Sequence, residues 1–216
     1  MVKLYKNFNI NNHHKNSIIL IGNFDGLHLG HQKLFKLALS YKKKYNSKIG
    51  VINFDPMPKM YFNNSLKNFK ISSVNQKLEL LKELKVDFII TKKFDKNFSK
   101  IKSIKFIKEI LYKKLNCKFI FVSNNFRFGN KREGDVKLLI QNEKNYNYKV
   151  IKPKPLLKSK KIVSSTIIRN LLEKGNLNRA NKFLGREWTI DGIVQKGRQV
   201  GKKIGFPTCN IDIKDY

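Results

Sequence analysis

The sequence predicts an α/β fold, a parallel sheet with helices on both faces in a Rossmann-like arrangement, with the ligand site at the carboxyl ends of the strands. Three observations predict it. Apolar runs of strand length at 17–21, 48–54, 86–90 and 118–122 alternate with segments of helical spacing. The first run, Ser17 to Ile21, passes directly into a glycine-rich turn and then a helix from Gln32 onward, with Leu34, Leu37 and Ala38 on one side. The second run stops at Asp55-Pro56-Met57-Pro58, where proline forbids continued sheet or helix.

Each element has its own reason. Residues 1 to 16 read as a leader strand and loop in which His13 and His14 have no sequence partner and are expected to be exposed. The first helix ends near Tyr45. Ser72 or Ser73 caps a helix running through Leu84, with Leu78, Leu81 and Leu84 toward the sheet. Phe106 to Leu115 and Val136 to Glu143 read as helices, Lys118 to Val122 and Tyr148 to Lys152 as strands. Ser164, Ser165 and Thr166 supply hydroxyls and an N-cap for a helix carrying Arg169, Glu173 to Leu184 reads as a short closing helix, and Trp188 to Gln195 alternates like a strand. Gly185-Arg186 marks a boundary, giving a first domain over 1–185 and a second segment over 186–216.

Composition narrows the class. No apolar run of about 18 residues occurs, and the start M-V-K-L-Y-K-N-F-N-I is too polar for a signal peptide, so a cytoplasmic protein without a membrane partner is expected. Cys117 and Cys209 lack metal or disulfide spacing. The net charge of +31 points toward nucleic acid, but 40 of the 46 basic residues are lysines dispersed from Lys3 to Lys214 among abundant Asn and Ile. That pattern is compositional, as in an AT-rich genome. A nucleic-acid surface concentrates arginine or interleaves aromatics, so no specific nucleic-acid partner is expected, although the field attracts anionic nucleotides at low salt.

The turn at 22–31, G-N-F-D-G-L-H-L-G-H, is a phosphate site in outline. Glycines let backbone approach a ligand, and a helix start offers free N–H groups and the positive end of a dipole. His28 and His31, three residues apart, project to one side of a helical first turn. Downstream, Ser164, Ser165, Thr166 and Arg169 can wrap a polyphosphate with hydroxyls, helix N–H groups and a guanidinium.

G-N-F-D-G-x-H-x-G-H resembles the signature of the HxGH nucleotidyltransferases, and in this long form it is similar to bacterial FAD synthetase, the adenylyltransferase half of bifunctional riboflavin kinases. The resemblance continues in order. F-D-P-M-P resembles an F-x-P-x-P loop, which implies that Phe54, Pro56 and Pro58 wall the flavin side. S-N-N-F-R-F-G resembles G-x-(D/N)-F-x-F-G, implying that Asn125, Phe126 and Phe128 line the nucleotide or flavin pocket, with Ser123 in place of glycine; core packing is the other reading of the two phenylalanines. V-S-S-T-I-I-R matches S-S-T-x-I-R. In K-L-E-L-L-K-E-L-K-V-D-F, Lys85 stands where glycine is common, at the left-handed end of a helix. Finally, P-T-C-N resembles the riboflavin kinase motif P-T-x-N, in which Thr208 and Asn210 hold Mg2+ and ATP phosphates.

The resemblance implies transfer of AMP from ATP to FMN, giving FAD and pyrophosphate, followed by the start of a β-barrel kinase too short to close. It implies that His28, His31 and Arg169 act on the phosphates and that Gly22, Asn23, Phe24, Asp25 and Gly30 shape the nucleotide site. Asp25 either meets Mg2+ or caps the glycine turn; the sequence leaves both open. Residues 197–216 are expected to be mobile unless they dock on the first domain. A different acceptor for the same superfamily's chemistry, or a basic nucleic-acid module, are the alternative functions.

Overall fold

The computed structural model describes residues 2–66, 69–158, 161–197, 200–206, 208–214 and 216. Its first elements are β1 (Lys3–Tyr5), β2 (Ile18–Ile21), α1 (Leu29–Tyr45), β3 (Ile49–Asp55), α2 (Pro58–Phe62), α3 (Val74–Glu83) and β4 (Phe88–Lys93). The short α4 (Lys96–Ser99) and α5 (Ser103–Lys105) follow, and α5 winds on as a π-helix over Phe106–Lys114. Then come β5 (Phe119–Phe121), β6 (Arg127–Phe128), β7 (Gly134–Asp135), α6 (Val136–Gln141), β8 (Lys149–Ile151), β9 (Leu157–Lys158) and β10 (Lys161–Ile162). The chain closes with α7 (Ser165–Glu173), α8 (Leu177–Leu184), β11 (Val194–Gln195), α9 (Val200–Lys203) and β12 (Asn210–Ile211).

Six strands pair in parallel in the order β1-β4-β3-β2-β5-β8. Successive residues of a strand face opposite sides, so two cores form. Ile18, Leu20, Ile49 and Val51 pack with Leu34, Phe35 and Ala38 of α1 and Leu81 of α3. Ile19, Ile21, Ile52 and Ile120 pack against Ile107 and Leu111 on the other face. The chain steps from β2 outward to β3 and β4, then returns to place β5 on the far side of β2. That reversal opens a crevice at the carboxyl ends of β2 and β5, where α/β sheets bind ligands. The expected doubly covered parallel sheet is therefore the architecture of this chain.

Several expectations need correction. The predicted helix over 106–115 is wound mostly as a π-helix: Leu115 N–H bonds to Ile110 O at 3.0 Å, which keeps Phe106, Ile107, Ile110, Leu111 and Leu115 all against the sheet. Helix closure after residue 173 splits in two, because Gly175 turns left-handed at φ 67° and Asn176 caps a new helix by accepting from Arg179 N–H. Trp188 is not in a strand. It joins a third core with Ile71, Val163, Ile168, Phe183 and Leu184, and its indole N–H donates to Ile71 O at 2.9 Å. His14 is buried, not exposed: its Nδ1 meets the Tyr5 hydroxyl at 2.8 Å and its ring stacks on Phe88 at 4.4 Å. Sequence offered no partner because Tyr5 and Phe88 lie in β1 and β4, apart from the 3-10 turn that carries His14. At the far C-terminus Tyr216 is buried and its hydroxyl donates to Gln76 Oε1 at 2.8 Å, whereas most described residues between 197 and 214 are exposed.

Lys85 adopts φ 55°, the left-handed conformation anticipated for a position where glycine is common, and its side chain is exposed. A Cβ there costs about 1–2 kcal/mol, partly offset by glycine's larger unfolded-state entropy. Lys85→Gly is expected to raise stability by about 0.5–1 kcal/mol in urea unfolding; a loss of stability would contradict the strain assigned to this turn.

Candidate active site

The last ladder bond of β2 runs from Gly22 N–H to Ile52 O at 3.1 Å, after which the chain folds over the sheet edge. Phe24 makes the turn at φ 48° and is buried against Phe35, ring centroids 5.1 Å apart. Gly26 follows at φ 73°, where a Cβ would sit 2.8 Å from the Ile71 side chain. His28 then caps α1: its Nδ1 accepts from His31 N–H at 3.3 Å, which puts its ring proton on Nε2. The imidazoles of His28 and His31 stack at 3.6 Å, 17° from parallel. Gly30 makes this possible, since a Cβ there would lie 3.1 Å from the His28 ring and 3.2 Å from Val163 O.

Asp25 ties this turn to two other segments. Its buried carboxylate accepts from Ile71 N–H at 3.0 Å, Ser72 N–H at 3.3 Å and Arg169 Nη2 at 2.6 Å. The Ser165 hydroxyl donates to Asp25 O at 3.0 Å. Arg169 also donates through Nε to Phe69 O at 2.8 Å and lies over the Phe69 ring at 3.8 Å. Asp25 is thus neither a simple turn cap nor a free carboxylate. Lone pairs that a cation would need are taken by two amides and a guanidinium. Among the described residues no group of three His, Cys, Asp or Glu side chains could hold a metal ion.

A cavity of about 690 Å³ opens over the crevice. One end is polar, bordered by Gly22, Asn23, Asp25, His31, Ser165 and Arg169; the other is aromatic, with Phe54, Phe94, Phe98, Phe106, Phe126 and Phe128. Phe24, Pro58 and Asn125 also line it. Phe126 and Phe128 stack at 5.5 Å and both border the cavity, and Phe128 is also part of the core. Other sequence-predicted residues are placed differently. His28 is buried behind His31 and does not border the cavity, so the two rings expected on one side do not both reach the ligand space. Pro56 and the exposed Thr166 are not among its lining residues, and Ser164 serves as the α7 cap, accepting from Ile167 N–H at 3.4 Å. Thr208 and the β12 residue Asn210 are exposed and away from this cavity, and Pro207 lies outside the described residues.

Sequence reasoning missed Lys77, Asn53 and Arg186. Lys77 is buried in α3, and its place four residues before Leu81, on the buried stripe, was the available signal. Arg186 donates to Gly26 O at 2.9 Å from beyond the predicted boundary, a contact no local pattern announces.

Residues 10–167 match the family described as FAD synthetase, and residues 184–216 match the one described as riboflavin kinase. The chain belongs to the FAD synthetase family. A "Bifunctional riboflavin kinase/FMN adenylyltransferase" of Buchnera aphidicola subsp. Schizaphis graminum is 41% identical over 95% of this chain and 66% of that protein. The protein of that name from Escherichia coli K12 is 34% identical over 91% of this chain and 63% of its own length. The chain thus spans just under two thirds of these relatives. A crystal structure described as a macrolide-efflux protein from Streptococcus pneumoniae matches with TM-score 0.80 at 28% identity, covering 98% of this chain and 68% of that one. Efflux belongs to that protein's name; among the described residues of this FAD synthetase-family chain no helix is long and apolar enough to cross a membrane.

Electrostatics keep the two imidazoles neutral. Burial first, and then the Arg169 and Arg186 charges, push His28 down to about 4. Burial, His28 and Lys77 hold His31 well below the ordinary histidine range. Because the folded value for His28 lies below the unfolded 6.5, the unfolded chain takes the proton first as pH falls. Its contribution to stability is complete above about pH 6.5 and is lost between 6.5 and 4, about 3 kcal/mol in all. An NMR titration is expected to give a His28 midpoint near 4 in the free protein; a midpoint at or above 6.5 would contradict the buried, neutral pair.

Proposed function

We propose that this chain is an FMN adenylyltransferase, joining ATP and FMN into FAD and pyrophosphate. The observation that carries the reading is one cavity with a polar, arginine-bearing end at a helix start and an aromatic end, shaped for a polyphosphate beside a flat apolar ring. The FMN phosphate oxygen is itself the nucleophile. It attacks the α-phosphorus in line, a P–O bond to that oxygen forms, and the bond to the β-phosphate oxygen breaks as pyrophosphate leaves. No protein nucleophile is needed, and Cys117 is buried with its thiol pushed far up by desolvation.

The protein's tasks are alignment and charge stabilisation. His31, with its neutral ring beside the cavity, donates a hydrogen bond to the phosphates, and His28 supports it from behind by stacking. Arg169, oriented by Asp25 and Phe69 O, offers its remaining donors to the leaving pyrophosphate, while Ser164, Ser165 and Thr166 shape the start of α7 around it. Asn23, Gly22 and Gly30 shape the adenosine side. Phe54, Pro58, Asn125, Phe126 and Phe128 receive the flavin. The described residues do not form an Mg2+ cage here, Asp25 being spent, so Mg2+ enters as part of the substrate, carried on ATP phosphates.

We assign residues 1–185 to this module and 186–216 to the start of a riboflavin kinase module, in which Thr208 and Asn210 serve metal and phosphate. Gly185, left-handed at φ 76°, caps α8 just before the border proposed here. The reading places the protein in the cytoplasm with its nucleotide substrates and needs no nucleic-acid partner.

Incubation with ATP and, separately, FMN, pantetheine phosphate and nicotinate mononucleotide tests the proposal: FAD forms and the other acceptors stay unmodified. Adenylylation of another acceptor without FAD would overturn it. His31→Ala and His28→Ala are each expected to lower turnover by about 10²-fold or more while the fold survives. Near-wild-type turnover in the folded variants would remove the histidines from the chemistry.

A further inference from the structure

Lys77 and Asn53 are buried polar residues that the adenylyl-transfer scheme does not use. Lys77 is 5% exposed, and its Nζ donates to Asn23 O at 3.3 Å. Two carboxylates act on it through their charge, and both are paired elsewhere, Asp25 with Arg169 at 2.6 Å and Asp55 with Lys70 at 3.5 Å. A buried ammonium with one long hydrogen bond is costly unless its other N–H groups find acceptors. Desolvation accordingly lowers the Lys77 pKa.

Other buried polar atoms of this face and turn are equally unsatisfied. Asn53 is 1% exposed, with neither Oδ1 nor Nδ2 bonded. Strand alternation with Ile49 and Val51 turns it to the sheet face covered by α1 and α3, and the bond from Gly22 N–H to Ile52 O sets it beside the end of β2. Asn23 Oδ1 and His31 Nδ1 are also buried without partners. Lys77 has three donors and no acceptor, whereas His31 Nδ1, Asn53 Oδ1 and Asn23 Oδ1 supply acceptors. One or two ordered waters would close the set, since such clustered polar atoms are where buried water sits.

Resting on the adenylyltransferase reading, we infer that Lys77 is a positioning residue of the site. With Asn53, Asn23 and bound water it forms a buried donor network that holds His31 Nδ1 as an acceptor. His31 then carries its proton on Nε2, the ring nitrogen left for the cavity. His28 reaches the same tautomer by a different route, its Nδ1 accepting from His31 N–H at 3.3 Å. Both imidazoles are thereby fixed as neutral donors without a carboxylate behind them.

Long-range proton–nitrogen NMR spectra of the substrate-free protein, wild type against Lys77→Met, test this directly. The wild type is expected to show His31 as the Nε2–H tautomer alone, and Lys77→Met a mixture with Nδ1–H. In FAD formation Lys77→Met should lose about 10–100-fold in kcat with KM for ATP and FMN changed by less than about twofold. If Lys77→Met does not fold, Asn53→Ala is read the same way. An Nδ1–H tautomer in the wild type, or an unchanged tautomer in the folded variant, would overturn the inference. The spectra need no substrate, so a wild-type protein that makes no FAD would sink the functional reading and leave this result to stand or fall by itself.

Discussion

The site depends on one buried carboxylate. Asp25 sits at the turn leaving β2 and binds the amides of Ile71 and Ser72, which precede α3, and the guanidinium of Arg169 in α7. Three segments distant in sequence are joined at a point where removing any partner strands the others in a low-dielectric interior. The third core follows from this junction: Ile71 packs with Val163, Ile168 and Leu184, and Trp188 bonds Ile71 O from the start of the second segment. The cavity's polar end exists because α7 is held over the sheet edge, and it is Asp25 that holds it.

Burial explains the chemistry as well as the architecture. On the proposed reading the phosphates meet an uncharged imidazole, that of His31 with His28 stacked behind it, both kept below the ordinary histidine range by desolvation. Neutral donors bind a phosphate less tightly in the ground state than imidazolium would, while still strengthening as negative charge moves onto the leaving pyrophosphate. Under the same reading Arg169 provides the fixed positive charge; its orientation is set by Asp25, Phe69 O and the Phe69 ring. The dispersed surface lysines add only a long-range field.

Much of this was legible in the residues. Strand-length apolar runs gave the parallel sheet, and the glycine turn, proline loop, aromatic segment and S-S-T-x-I-R run brought the two ends of one cavity together. Lys85 was read as left-handed and is, at φ 55°. What sequence could not show is where a polar side chain finds its partner across the fold. Asp25 looked like a metal ligand or a cap because its partners lie 46 and 144 positions away. His28 was paired with His31 over the ligand because local spacing says nothing about the burial that Arg186, bonded to Gly26 O, and α7 bring to this turn from elsewhere in the chain. His14 failed for the same reason, its stacking partner being Phe88. Lys77 was passed over because a lysine on a helix reads as solvated until its burial and its bond to Asn23 O are seen.

The dependence on Asp25 is tested most directly by a double-mutant cycle with Arg169, read in urea unfolding and in the rate of FAD formation. Asp25→Ala and Arg169→Met should each cost about 3–5 kcal/mol of stability. The double variant should cost less than their sum by about 2–3 kcal/mol, with both singles and the double equally poor in turnover. Additive stability losses, or an Asp25→Ala protein as stable as the wild type, would contradict the account.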